Sequence, residues 1–258
     1  LYEEIKMGTS KGYEPPKGKG SPWDTLKRQM GMLIEKPDKN TKVVSKFIKA
    51  IGGAENFSSY NKPQSIPTGG GSSLSFKSST ARNTVQGLGS FFSDISKNGL
   101  QQAAKSRGIN IEGKTIDEIK ELFIDFFLTP AIDSDSACAS KAIESVMENL
   151  FNEIDNEEEL ENILSNVIKT EKAKELVCGF YENYIYELFC RIFFEDRTLK
   201  TNQSDAEEIL EIVKETISTK ISGIQCNRNI EGIDFGSQEG SDFVQGILKD
   251  ILEVLEEE

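Results

Sequence analysis

Histidine is absent from the 258 residues. That removes Ser-His-Asp and Cys-His catalysis, His-ligated zinc and the commonest acid–base group near neutral pH. Carboxylate, lysine and magnesium chemistry survive the exclusion. Cysteine is sparse: Cys138, Cys178, Cys190 and Cys226 stand far apart with no C-x-x-C. A disulfide framework needs closer spacing and an exported chain, so reduced thiols in helical cores are expected. No stretch has the roughly 18 uninterrupted apolar residues of a membrane span, and none reads as a signal peptide. The cytoplasm is therefore the expected compartment, with no membrane partner.

Charge and proline divide the chain. Residues 1–107 carry a net +9 and residues 108–258 a net −22, which together give −13. Six of the seven prolines precede residue 68. Residues 1–21 read as a flexible tail rich in Gly, Pro, Lys and Ser, with no apolar period to bury. Residues 22–52 read as short helices, opened by Ser21-Pro22 and closed by Gly52-Gly53. Residues 53–79 read as a Gly/Ser/Pro-rich linker, and residues 80–258 as an acidic helical domain.

Period 3.6 dominates, and no stretch keeps a period of two. Val85, Leu88, Phe92 and Ile95 make one stripe, broken near Asn98-Gly99. Gly87 and Gly89 weaken that helix by up to about 1 kcal/mol each unless a close neighbour uses the space. Thr115 and Glu118 form a capping box before an apolar face of Ile116, Ile119, Phe123, Phe126 and Phe127. Further starts are expected at Ser134 or Ser136, Asn156, Thr170, Ser204 and Ser241. The predicted fold is all-α, an irregular bundle of seven to nine helices with a flexible N-terminal tail. Residues 171–195 should be its most buried helix, because apolar and aromatic residues spread beyond one stripe there.

Few motifs point to chemistry. Lys17-Gly18-Lys19-Gly20-Ser21 lacks the spacing and the preceding strand of a phosphate loop. Gly69-Gly70-Gly71 fits a linker. Glu157-Glu158-Glu159 suits a helix's first turn, whereas Glu256-Glu257-Glu258 should fray into solvent. The aromatic run Phe180, Tyr181, Tyr184, Tyr186, Phe189, Phe193 and Phe194 fits a core better than a pocket. Lys42, Lys46, Lys49, Lys77, Arg82, Lys97, Lys105 and Arg107 could touch phosphates, which leaves a nucleic-acid-binding adaptor as the alternative function. No catalytic residue, metal site or cofactor site can be placed. The chain reads as a protein that is bound or modified by partners rather than as an enzyme.

Met7-Gly8-Thr9-Ser10-Lys11-Gly12-Tyr13, followed by a Pro/Gly/Lys tail, resembles the N-terminus of the QatB family of the Qat bacterial anti-phage defence system. Gly69-Gly70-Gly71-Ser72-Ser73 running into Ser79-Thr80-Ala81-Arg82-Asn83-Thr84 is similar to the family's Gly/Ser stretch before an Ala-Arg helix. Gly99-Leu100 through Gly113-Lys114-Thr115 is a third landmark, and the likeness spans residues 7–155. Leu1 to Lys6 precede the family's start position; they are a leader, an added sequence or the end of a longer chain. Gly12 does not fit the rival reading of Gly8 as a myristoylation site, which wants Ser or Thr there.

The resemblance implies a non-enzymatic role in phage immunity. The implied partners are a deazapurine-synthase-like enzyme (QatC-like), an ATPase (QatA-like) and a TatD-like nuclease. It implies that the synthase-like enzyme cuts between Met7 and Gly8 and joins a deazaguanine group to the freed amine, with Thr9, Ser10, Lys11, Gly12 and Tyr13 recognised alongside. The residues suit that chemistry. An α-amine, with a pKa of about 7.7–8.0, is partly neutral at pH 7, whereas lysine at about 10.4 is protonated. Glycine brings no side chain into a narrow site.

Overall fold

The computed structural model describes residues 25–26, 28–30, 32, 41–57, 78–128, 134–152, 154, 156–169, 171–197, 203–224 and 233–257. Among these residues the chain is all-α, as expected, with no strand. The helices are α1 (Thr41–Ala50), α2 (Gly53–Phe57), α3 (Ser78–Asn98), α4 (Leu100–Ser106), α5 (Ile116–Phe127), α6 (Ser134–Phe151), α7 (Glu157–Asn166), α8 (Lys172–Arg197), α9 (Gln203–Ser222) and α10 (Gln238–Glu256). A 3-10 turn, Val167–Lys169, joins α7 towards α8, and further helical residues lie between 25 and 32. No helix among the described residues is long and apolar enough to cross a membrane.

The local signals act as their chemistry requires. The Thr115 hydroxyl accepts from the Glu118 N–H at 3.3 Å, and the Glu118 carboxylate accepts from the Thr115 N–H at 2.9 Å. Two otherwise orphan donors at the start of α5 are thus satisfied. The Asn156 side chain accepts from the Glu159 N–H at 3.0 Å and starts α7. Gly99, at φ +81°, separates α3 from α4, and Gly108, at φ +77°, follows α4. A left-handed backbone of this kind costs a side-chain-bearing residue more than it costs glycine.

Helix α8 runs through the middle and packs on α6, α9, α10, α3 and the 3-10 turn. Phe180, Tyr181, Tyr184, Ile185, Leu188, Phe189 and Phe193 are buried on it. Five of its seven aromatic positions are core, with Phe180 stacked on Tyr184 at 6.1 Å and Phe189 edge-on to Phe47 of α1 at 5.3 Å, while Tyr186 is half-buried and the Phe194 side chain lies outside the described residues. Tyr184 donates to the buried Asp135 carboxylate in the first turn of α6. Burial, and then the neighbouring Asp135 charge, raise the Tyr184 phenol well above its ordinary range.

Three expectations need correction. Residues 53–57, placed in the linker, form α2. Its N-terminus is held from far along the chain, because the Ala54 N–H donates to the Glu256 carboxylate at 2.9 Å. For the same reason the Glu256 end of α10 does not fray. The Ser45 hydroxyl donates to the Glu256 carbonyl at 2.8 Å, and the Lys220 ammonium donates to the Val254 carbonyl at 3.1 Å and to the Glu257 carbonyl. Cations and donors at a helix C-terminus satisfy carbonyls that have no intrahelical partner.

The third correction concerns helix starts. Helix α10 begins at Gln238 rather than Ser241, with Ser237 as its N-cap. Gly240 is tolerated in its first turn because the Phe235 backbone passes there: a Cβ on Gly240 would lie 2.3 Å from Phe235 Cα. Helix α9 begins at Gln203, so Ser204 lies inside it. The rest of the linker, 58–77, and the tail, 1–21, fall outside the described residues.

Candidate functional site

Met7, Gly8, Thr9, Ser10, Lys11, Gly12 and Tyr13, the positions singled out for cleavage, modification and recognition, all lie outside the described residues. Open grooves occur on the part that is described, two of them of several hundred cubic ångströms.

The first lies where α3 breaks into α4, a space of about 700 Å³. Asn98, Gln101, Gln102, Lys105, Asn110, Glu112 and Glu161 give it a polar wall. Glu161, from α7, accepts from the Leu100 N–H at 3.3 Å and so closes the N-terminus of α4. This wall is mostly carboxamide, of mixed charge and open to water.

The second groove lies between α3 and α5, about 420 Å³, over Asn83, Thr84, Gly87, Ser90, Arg107, Phe126 and Phe127. Phe126 was expected on the buried face of α5, yet it is 44% exposed. Ile119 and Phe123 take the core side instead. On a helical wheel Phe126 falls beside the buried Ile119, so periodicity gave no signal that it is exposed; it lies in the last turn of α5, between the exposed Asp125 and the half-buried Phe127. Phe127 turns inward and packs against Phe91 at 5.4 Å.

The basic residues proposed for phosphate contact are spread over several helices. Arg82 is buried. Lys97 pairs with Asp234 at 2.6 Å, and Arg107 pairs with Asp94 while lying over the Phe91 ring at 4.9 Å. The Arg107 hydrogen bond holds the Asp94 carboxyl below its ordinary range, against a smaller opposing effect of burial. Lys42, Lys46 and Lys49 share one face of α1, Lys105 is on α4, and Lys77 is outside the described residues.

Burial suppresses the chemistry of two of the cysteines. Burial pushes the Cys138 thiol up to about 12 and the Cys190 thiol to about 11. Cys226 is outside the described residues. Among the described residues no group of three or more His, Cys, Asp or Glu side chains is placed to hold a metal ion.

A family model, described as Qat anti-phage system associated protein QatB, matches residues 69–255. The chain belongs to the QatB family. It is accordingly a component of the Qat anti-phage system. The match takes in the Gly/Ser stretch at Gly69 and every helix from α3 to α9, with all of α10 but its last residue. It extends well beyond residue 155, through the acidic helices whose sequence showed no landmark. The Met7–Tyr13 motif lies ahead of it. No curated protein and no solved structure is detectably similar to this chain.

Proposed function

We propose that this QatB-family protein is a non-enzymatic substrate and partner of the deazapurine-synthase-like enzyme of its system. In this reading the enzyme hydrolyses the Met7–Gly8 peptide bond. It then activates a deazaguanine carboxylate with ATP, and the freed α-amine of Gly8 attacks that carbonyl. An amide forms, the activated oxygen leaves, and the amine gives up a proton. Thr9, Ser10, Lys11, Gly12 and Tyr13 set the register of the chain in the enzyme. The ATPase and the TatD-like nuclease would act on or with the modified protein in the cytoplasm.

The observation that carries this reading is the Met7-Gly8-Thr9-Ser10 motif in a chain of the QatB family. One further point supports it. An α-amine has a usable neutral fraction at pH 7, which lysine lacks, and glycine leaves it unhindered.

Intact mass of the protein co-expressed with the neighbouring synthase tests it. A chain beginning at Gly8 and carrying an added deazapurine mass is expected. An unmodified chain, or equal modification of the Gly8→Ala variant, would remove this role from Gly8.

A further inference from the structure

We propose that the groove between α3 and α5 is the contact face between two copies of this chain, with Phe126 of each copy seated over Gly87 of the other. This goes beyond the partner reading above and does not depend on it.

Shape is the first argument. Gly87 lies in the middle of α3, a position where glycine weakens a helix relative to alanine. Among the described residues no atom comes within 4 Å of where its Cβ would be. Two positions on, Gly89 has a clear internal use, because the Phe235 ring occupies the space a side chain would take. Gly87 instead leaves a notch on the outer face of α3, flanked by the short side chains of Thr84 and Ser90. An incoming group can approach the helix backbone closely there.

The projection that fits the notch stands in the same groove. The Phe126 ring lines it and is 44% exposed, and Leu128 next to it is 38% exposed. Large apolar side chains gathered at the mouth of a groove mark contact surfaces. A twofold contact needs a projection and a recess side by side on one face, because residue i of one copy meets residue j of the other while j meets i. An unrelated partner would have to supply a knob for Gly87 and a cover for Phe126 separately. A second copy brings both, at the spacing this groove already has. The exposed Asn83 carboxamide adds a donor and an acceptor for the facing copy.

Charge is the second argument. Of the residues that line the groove only Arg107 is charged, and it is paired with Asp94. The groove is thus close to neutral in a chain of net charge −13. Two copies repel each other through an acidic surface, and an uncharged face is where that repulsion is least. The exposed Asp125 lies about 100° round α5 from Phe126, so it stands at the rim of the contact, where water and salt screen it.

Sedimentation equilibrium of the full chain alone, from roughly micromolar to millimolar concentration, tests it. A reversible dimer is expected, tightening as salt is added, since salt screens the repulsion of two acidic chains and breaks no ion pair in the contact. Gly87→Gln fills the notch with a better helix former, and Phe126→Ser removes the ring. Each should weaken the dimer by about tenfold or more. In solutions dilute enough to hold monomer only, Gly87→Gln should nevertheless melt higher than wild type. Association and stability moving in opposite directions cannot come from misfolding. A benzophenone amino acid at position 126, in a mixture of heavy-isotope and ordinary copies, should crosslink one copy to the other within residues 83–90. Wild-type protein that stays monomeric throughout overturns the proposal. So does a dimer that both variants retain fully, one that salt loosens, or crosslinks to another part of the second copy.

Discussion

The Phe235 ring lies where a side chain on Gly89 would be: a Cβ there would sit 2.3 Å from Phe235 Cδ1. The contact is reinforced on both sides. Gln86 donates to the Phe235 carbonyl at 3.2 Å, the Phe235 N–H reaches the Ser93 hydroxyl at 3.5 Å, and Lys97 pairs with Asp234. The loop before α10 is thus seated on α3 through one ring in one notch.

Two neighbouring glycines should therefore respond in opposite directions. Gly89→Ala forces Phe235 out and should cost about 1–3 kcal/mol, as overpacking of a filled core does. Gly87→Ala meets nothing within 4 Å and should gain up to about 1 kcal/mol. Urea unfolding of the two variants measures both, and equal shifts would contradict the packing described.

The end of α10 supplies a second contrast. Glu256→Ala removes the carboxylate that receives the Ala54 N–H and should cost about 1 kcal/mol, the usual value of a lost cap. Glu257→Ala, at an exposed side chain whose backbone carbonyl still receives Lys220, should be neutral. Thermal melting of the pair decides it.

Local and distant capping differ in how they can be read. Thr115 with Glu118 and Asn156 with Glu159 were legible, because cap and capped amide lie three residues apart on the chain. Glu256 and Ala54 are 202 residues apart, so a carboxylate serving α2 looked like part of a solvated acidic run. Gly89 was legible as a position in need of a neighbour, but Phe235 was not legible as that neighbour. Phe126 was misplaced because it shares a face with the buried Ile119, and periodicity gives the buried face of a helix but not how far along the helix its cover extends. Of the candidate site, the motif and the family were readable from Met7–Tyr13 and the Gly/Ser stretch. The α3–α5 groove was not, since it needs two helices brought together.

Thiol reactivity offers a third test. With Cys138 near 12 and Cys190 near 11, almost no thiolate exists at pH 8, and the thiolate is the nucleophile. Iodoacetamide at pH 8 should leave both cysteines unlabelled in the native protein and label both in urea. Peptide mass spectrometry reads the result, and rapid native labelling of either would contradict its burial.

Acid sensitivity should trace partly to Asp94. Its folded pKa lies below the unfolded value, chiefly through the Arg107 hydrogen bond. The stabilisation is therefore complete above the unfolded pKa, about 4, and is lost as pH falls through the lower folded value. Asp94→Asn should melt lower than wild type at pH 7, and the gap should narrow by pH 3. A constant gap across that range would assign the loss to something other than the Asp94 charge.

The tether between the last turn of α10 and helices α1 and α2 bears on how the protein is made. A ribosome delivers α1 and α2 early, but the residues that hold them in place emerge some two hundred positions later. Each intervening helix can find its local neighbours as it appears, whereas this corner must wait until translation has passed Glu256. Its apolar surfaces, Val43, Val44, Phe47 and Ile48 among them, stay without their final cover for that interval. The corner formed by α1 and α2 is then completed after the helices made later than it, which reverses the order of synthesis.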